Sequence, residues 1–351
     1  MIKRILIGLG VLVLAFAVFA FVITRSGSLV TPSGEGVVTL DVGEFEAFEL
    51  PPYAAPFAGE GTKSYFIEVE PGIKIHVMEM GEGQPVYMQH GNPTSGFLYR
   101  KVAEELPKDQ FRLIMPTIVG LGFSSKVPAN EHTLENHMRW MTAALAQLQI
   151  SEAIYVGQDW GGPIGMGAMA RTPGLMQGAV VMNTGFTAPT EPRDLSAAHA
   201  FVKTPVLGEM ALEVFGSIFD RLPGAQGDPA SMPGDVLELY GRPLEESGNA
   251  KAPVALMRMV PDGPDHPSTV QMREIEAFVR GLDVPVEIVW GTKDPILGPA
   301  LGTMQQSFPG APTTQTEAGH FLQEEVPSEI AAAIMRVASQ LQDEPAENEA
   351  E

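Results

Sequence analysis

Cysteine is absent from the 351-residue chain, which excludes a disulfide framework and any thiolate metal centre. A chain without thiols folds equally well in oxidising and reducing surroundings, so this absence leaves the compartment open. Basic residues are scarce: 22 Lys and Arg stand against 43 Asp and Glu, a formal charge of −21. Such a surface repels phosphate backbones and anionic headgroups, and no nucleic acid is expected as a partner. Part of the acidic excess lies in the run 342–351, read as a solvated, disordered tail. There is no internal repeat. His132 and His137 are too far apart for one helical face and lack a carboxylate motif, so no metal and no cofactor are expected.

Long hydrophobic runs are also rare, with one exception. Residues 5–23 are unbroken apolar sequence behind Lys3 and Arg4. As a helix those 19 residues would span about 28 Å, close to the hydrocarbon thickness of a bilayer. Segment 1–24 is therefore expected to be a membrane anchor, with the rest of the chain outside the cytoplasm, on the periplasmic side in a bacterium. The alternative is a cleaved signal, with Ala15, Ala17 and Ala20 imitating a cleavage site. Residues 25–60, rich in Gly, Ser and Pro, read as a linker with a lead-in strand.

What the chain does contain is a rhythm. Residues 65–70 and 73–78 flank Pro71-Gly72 and predict a hairpin with one buried face. Short apolar runs at 86–89, 111–115, 153–156, 179–182, 286–290 and 313–316 then predict buried strands. Between them, Leu134, Met138, Met141, Leu145 and Leu148 follow helical spacing, as do Ile330, Ile334, Val337 and Leu341. Alternation of this kind after an antiparallel start predicts an α/β fold with a mostly parallel sheet flanked by helices. The rhythm fails from 187 to 265, where Pro and Gly abound and only short helical pieces such as 207–219 are visible. That stretch is read as an inserted helical cap, dividing the core into 61–186 and 266–341.

Four motifs fall at the predicted strand ends. The strand 153–156 runs into Gly157-Gln158-Asp159-Trp160-Gly161-Gly162 and a helix. A nucleophile between small residues at a strand-to-helix turn is a nucleophile elbow, whose strained backbone demands the small neighbours. Asp159 would equally suit a helix cap. As a nucleophile, a carboxylate attacks an sp³ carbon and forms an alkyl ester. His90-Gly91-Asn92-Pro93 follows the strand 86–89, where such folds place an oxyanion-hole amide. Trp290-Gly-Thr-Lys-Asp294-Pro295 and Ala318-Gly-His320-Phe321 complete the set. Nucleophile, acid, histidine is the chain order typical of α/β-hydrolases, and sheets of this kind bind ligands at strand C-termini.

Together, His90-Gly-Asn-Pro-Thr-Ser, Gln158-Asp-Trp-Gly-Gly-Pro, Gly291-Thr-Lys-Asp and Gly319-His-Phe resemble the haloalkane dehalogenases over roughly 65–341. The resemblance implies an α/β-hydrolase fold and a small halogenated substrate reacting with water. It assigns halide displacement to Asp159, activation of the hydrolytic water to His320, and support of that imidazole to Asp294. It assigns the halide to two side-chain N–H donors, Trp160 and Asn92. No acid stands between Met182 and Glu191, so Asp294 rather than a Glu is taken as the third member. An Asp-His-Asp triad with an Asn-Trp pair resembles one subfamily of these enzymes. Thr117 departs from the family pattern, which often has an acid there. Phe201, Phe215 and Phe219 are expected near the substrate.

Two other readings stay open. An epoxide hydrolase would use the same Asp159, His320 and Asp294, but with cap tyrosines on the epoxide oxygen; the expected cap holds one tyrosine, Tyr240. A catalytically silent, membrane-anchored binding protein would show a broken triad.

Overall fold

Strand-forming sequence with period-two alternation opens the globular part, and buried strands alternating with helices continue it. In the computed structural model, which describes residues 2–25, 27–214 and 216–343, helix α1 (Ile2–Ile23) precedes strands β1 (Val37–Leu40) and β2 (Gly43–Ala47). The hairpin β3 (Lys63–Glu70) and β4 (Ile73–Met80) turns at Gly72, whose φ of +78° suits glycine. Then come β5 (Gln84–Gln89), α2 (Arg100–Glu105), β6 (Phe111–Pro116), α3 (Leu134–Gln147), β7 (Ala153–Gln158), α4 (Gly161–Ala170) and β8 (Met176–Met182). The chain next forms α5 (Ala197–Val202), α6 (Leu207–Glu209), α7 (Gly234–Ser247) and α8 (Ala252–Arg258). It closes with α9 (Thr269–Arg280), β9 (Val286–Gly291), α10 (Leu301–Ser307), β10 (Thr313–Thr316), α11 (Leu322–Glu325) and α12 (Pro327–Asp343).

The described strands form one sheet in the order β1-β2-β3-β4-β6-β5-β7-β8-β9-β10. Pairing is antiparallel from β1 through β4 and between β4 and β6. It is parallel from β6 to β10. Strand β7 is buried along its whole length, as a parallel strand covered on both faces must be. Helix α3 starts at Thr133, whose side chain accepts from the Asn136 amide, and packs on α4. Helix α12 lies on β8 and β9 so closely that a Cβ on Gly178 would stand 2.4 Å from Val337. Strands β5, β7, β8 and β9 thus end side by side and present their C-terminal loops to one place.

Three expectations need correction or refinement. The first is the membrane anchor at residues 5–23, and with it the extracytoplasmic placement. Among the described residues, no helix is long and apolar enough to cross a membrane. In α1 the continuous run of described side chains covers 10–22, about 20 Å at 1.5 Å per residue, short of the ~30 Å hydrocarbon layer. The second is the stretch 25–60, which carries β1 and β2 as edge strands of the sheet. The third is the helical piece 207–219. It breaks into α6, a π-turn at Met210–Val214 and a 3₁₀ stretch at Phe219–Ala225. Gly208 approaches the Val202 carbonyl too closely for any Cβ, and Pro223 removes a backbone donor. The acidic tail falls outside the described residues from 344 onward.

The segment between β8 and α9 is tied to the core by a buried ion pair. Arg100 donates from both Nη atoms to Glu324, at 2.6 and 2.8 Å. Tyr240, on α7, donates its hydroxyl to the same carboxylate at 2.9 Å. Glu324 has no exposed side-chain surface, so three partners from three elements replace its water.

Candidate active site

Backbone strain places the first residue. Asp159, between β7 and α4, has φ +50°, the left-handed region that a non-glycine residue enters at a cost. The surroundings hold it there. Its amide donates to the Asn183 carbonyl at 3.0 Å, and its carbonyl accepts from Thr184 Oγ1 at 2.7 Å. The small neighbours are required: a Cβ on Gly161 would stand 2.1 Å from the Gln89 carbonyl, and one on Gly162 would stand 1.9 Å from Thr184.

The loop after β5 meets this turn. Gly91 passes so close that a Cβ would lie 2.4 Å from Asp159 Oδ1, and the Asn92 amide donates to that oxygen at 2.8 Å. The Trp160 amide also hydrogen-bonds the Asp159 carboxylate. His90 secures the loop from beneath. Its Nε2 accepts from the Ile118 amide at 2.9 Å, leaving Nδ1–H to donate to the Gly91 carbonyl at 2.8 Å. Burial pushes that imidazole down to about 4, so it is a neutral structural group.

His320 and Asp294 arrive from the loops after β10 and β9. His320 Nδ1 lies 2.8 Å from Asp294 Oδ2, and its Nε2 lies 3.6 Å from Asp159 Oδ2. Burial raises Asp294, but the charge and hydrogen bond of His320, with donors from Asn183 and the Ile296 amide, outweigh it and leave the carboxyl below its ordinary value. Burial lowers His320, and the two carboxylates outweigh that, so the imidazole titrates above its ordinary 6.5. Burial wins at Asp159, whose carboxyl is raised despite His320 and the two amides.

All five residues singled out from sequence therefore meet. Asn92, Asp159, Trp160 and His320 line one cavity of about 200 Å³, and Asp294 stands behind His320. The walls are mostly apolar, with Phe201, Leu212, Ile218, Leu222 and Met257 from the segment between β8 and α9. Phe219 is buried elsewhere, and Phe215 lies outside the described residues. The Trp160 indole N–H makes no hydrogen bond among the described residues and belongs to the cavity wall. Asn92 Nδ2 uses one proton on the Pro253 carbonyl at 3.1 Å, and its second proton is uncommitted.

Other contributors escaped sequence reasoning. Asn183 ends β8 and donates from Nδ2 to Asp294 Oδ2 at 2.8 Å and to the Gly291 carbonyl at 2.9 Å. Its Oδ1 accepts from the Gly291 amide at 2.8 Å. Gln158 donates to the His320 carbonyl at 2.9 Å. Both stand beside motifs, and a polar residue at the end of a buried strand was the available signal. Pro253, His199 and Arg221, which also reach this site, carry no local pattern at all.

Comparison with known proteins agrees with this geometry. Residues 84–327 match a family model described as the alpha/beta hydrolase fold. A haloalkane dehalogenase from Mycobacterium marinum is 28% identical over 275 residues, covering 76% of this chain and 89% of that one. A cis-3-alkyl-4-alkyloxetan-2-one decarboxylase from Shewanella oneidensis is 30% identical over 275 residues, covering 75% and 84%. Among solved structures, a haloalkane dehalogenase from Agrobacterium tumefaciens superposes with a TM-score of 0.70 at 26% identity, covering 83% of this chain and 99% of that one.

Proposed function

The chain belongs to the α/β-hydrolase fold family, and on that premise we propose that it is a haloalkane dehalogenase, converting a haloalkane and water into an alcohol, a halide ion and a proton. The reading rests on a single arrangement. Asp294, His320 and Asp159 stand in line at 2.8 and 3.6 Å, and an uncommitted indole N–H faces the same cavity.

In this reading Asp159 attacks the sp³ carbon with one carboxylate oxygen. The new C–O bond forms as the carbon–halogen bond breaks, and the halide leaves with the bonding pair. Trp160 Nε1–H and the second Asn92 amide proton receive the growing charge, and an apolar cavity makes each donor worth more than in water. Water then attacks the Asp159 acyl carbon while His320 takes its proton, and the Asn92 and Trp160 amides hold the oxyanion. Collapse expels the alcohol and restores the carboxylate. Once esterified, Asp159 no longer carries charge, so one of the two carboxylates that raise His320 is gone. The imidazole becomes neutral more readily at the step that needs a base.

An epoxide hydrolase is less well supported. No tyrosine is among the described residues lining the cavity, and the Tyr240 hydroxyl is committed to Glu324. A silent binding protein would not need an assembled triad. One observation favours a second reading: the relative from Shewanella oneidensis is named for decarboxylating an oxetan-2-one. That ring also carries a leaving oxygen on an sp³ carbon, within reach of the same nucleophilic chemistry.

The test is halide release from 1-bromobutane and 1,2-dibromoethane, with Asp159→Asn as control and His320→Gln as a trap. Wild type should release halide continuously, and Asp159→Asn none. His320→Gln should release about one equivalent while gaining the alkyl mass on Asp159. Consumption of an oxetan-2-one or of styrene oxide without halide release would move the assignment to those substrates.

A further inference from the structure

The halogenated end of a substrate accounts for Asp159, Trp160 and Asn92, but two more polar groups share the cavity. His199, on α5, and Arg221, in the 3₁₀ stretch after it, both belong to the wall otherwise built from Phe201, Val202, Leu212, Ile218 and Leu222. Neither takes part in the hydrolysis described above.

His199 is held in place from one side. Ser196 caps α5, its Oγ accepting from the His199 amide at 3.3 Å and lying 2.8 Å from Nδ1. A serine hydroxyl has one proton and two lone pairs, so the same oxygen accepts from the backbone and donates to Nδ1. The neutral imidazole then carries its proton on Nε2, for which no protein partner is present among the described residues. The nearness of His199 to the reacting centre registers as charge coupling with both Asp159 and His320.

Arg221 stands at the rim, exposed. Among the described residues its guanidinium makes no hydrogen bond or ion pair. The neighbouring cations are engaged: Lys203 with Asp262 at 2.8 Å, and Arg258 with Glu209 at 2.6 Å. In a chain with so few basic residues and so many acidic ones, an uncommitted guanidinium beside the substrate cavity is out of keeping with a purely apolar substrate.

We propose that His199 and Arg221 form an anion-binding pole, and that the substrate carries a carboxylate, as a haloalkanoate does, rather than being a plain haloalkane. The guanidinium supplies charge and paired donors, a geometry that suits a carboxylate. His199 Nε2–H adds a third donor, and the aliphatic wall between them takes the methylene chain. The same pole offsets the repulsion that Asp159 and the acidic surface exert on an anion. This inference rests on the assignment of Asp159 as the nucleophile of carbon–halogen cleavage, although the binding pole itself does not require it.

Two measurements test it. The first is the ratio of kcat/KM for 5-bromopentanoate over 1-bromopentane, by halide release, in wild type, Arg221→Met and His199→Phe. Wild type should favour the carboxylate, and the ratio should fall about tenfold or more in Arg221→Met, the loss of one charge-assisted contact. A preference for 1-bromopentane in wild type, or a ratio indifferent to both substitutions, overturns the proposal while leaving dehalogenation intact. The second is calorimetric binding of pentanoate, which needs no reaction. Binding by wild type that weakens about tenfold in Arg221→Met supports the pole even if neither bromide reacts, in which case only the dehalogenase reading fails. Equal affinity in both proteins, or no binding by wild type, overturns it. A standing carboxylate and one freed by opening an oxetan-2-one would meet the same two groups. Pentanoate binding tests both sources, and halide release from 5-bromopentanoate tests only the first.

Discussion

Asn183 is where the geometry makes its sharpest demand. Its side chain is fully buried and makes three hydrogen bonds, to Asp294, to the Gly291 carbonyl and from the Gly291 amide. Its backbone carbonyl accepts from Asp159, so one residue spans the nucleophile turn and the acid loop. Replacing it with alanine leaves the Gly291 amide without this partner and Asp294 without a charge-assisted donor. A buried donor left unmet costs roughly 1–3 kcal/mol, and a bond to a charged group is worth roughly 1.5–3. Allowing for relaxation, about 3 kcal/mol is expected, or a melting temperature roughly 5–10 °C lower. Alanine also tolerates the φ of +24° at this position less well than asparagine, so Asn183→Gly is the necessary companion. If lost side-chain bonds are the cause, both variants fall by similar amounts. If backbone strain is the cause, glycine recovers. Activity should drop about tenfold to a hundredfold, because Asp294 would orient His320 through fewer contacts. With one donor removed, Asp294 keeps more charge for His320, so the acidic limb of kcat moves to higher pH. Thermal melts and a pH profile check both parts. A wild-type melting temperature with an unmoved limb would refute the reasoning.

Two further outcomes follow from the same network. His320 should titrate above 6.5 in the resting protein and at lower pH in Asp159→Asn, because one of its two carboxylates is gone; NMR of the imidazole reads this directly, and an upward shift would contradict it. A raised folded value means that this contribution to stability is full below the unfolded 6.5 and is lost as pH rises through the folded value. Glu324→Ala should cost about 3–5 kcal/mol, because it strands Arg100 as an uncompensated buried charge. It should also release Tyr240 and with it α7, measured as early proteolysis between β8 and α9; resistance equal to wild type would show that Tyr240 is not the tether.

Much of this protein is decided locally. The strands of the parallel half are apolar runs bounded by Gly, Pro and polar turns, and their burial follows from composition alone. The elbow is equally local, because a nucleophile at positive φ between closely packed glycines needs that short pattern wherever it occurs. With the loops after β5, β9 and β10 read in order, Asp159, His320, Asp294, Asn92 and Trp160 were legible before any coordinate. Tertiary structure decided what no window of sequence contains. Asn183 matters only because β8 ends beside β9, and Pro253 because a distant helix turns its carbonyl to Asn92. The helix expected at 207–219 fails for the same kind of reason, since Gly208 must clear the Val202 backbone. The apolar run at 5–23 is the opposite case, where hydropathy alone suggested a span that the described helix does not supply. His199 and Arg221 carry no periodicity or motif, and only the folding of α5 and its neighbours over the strand ends brings them to Asp159. Local physics chose the backbone and the nucleophile, and long-range packing chose what the nucleophile faces.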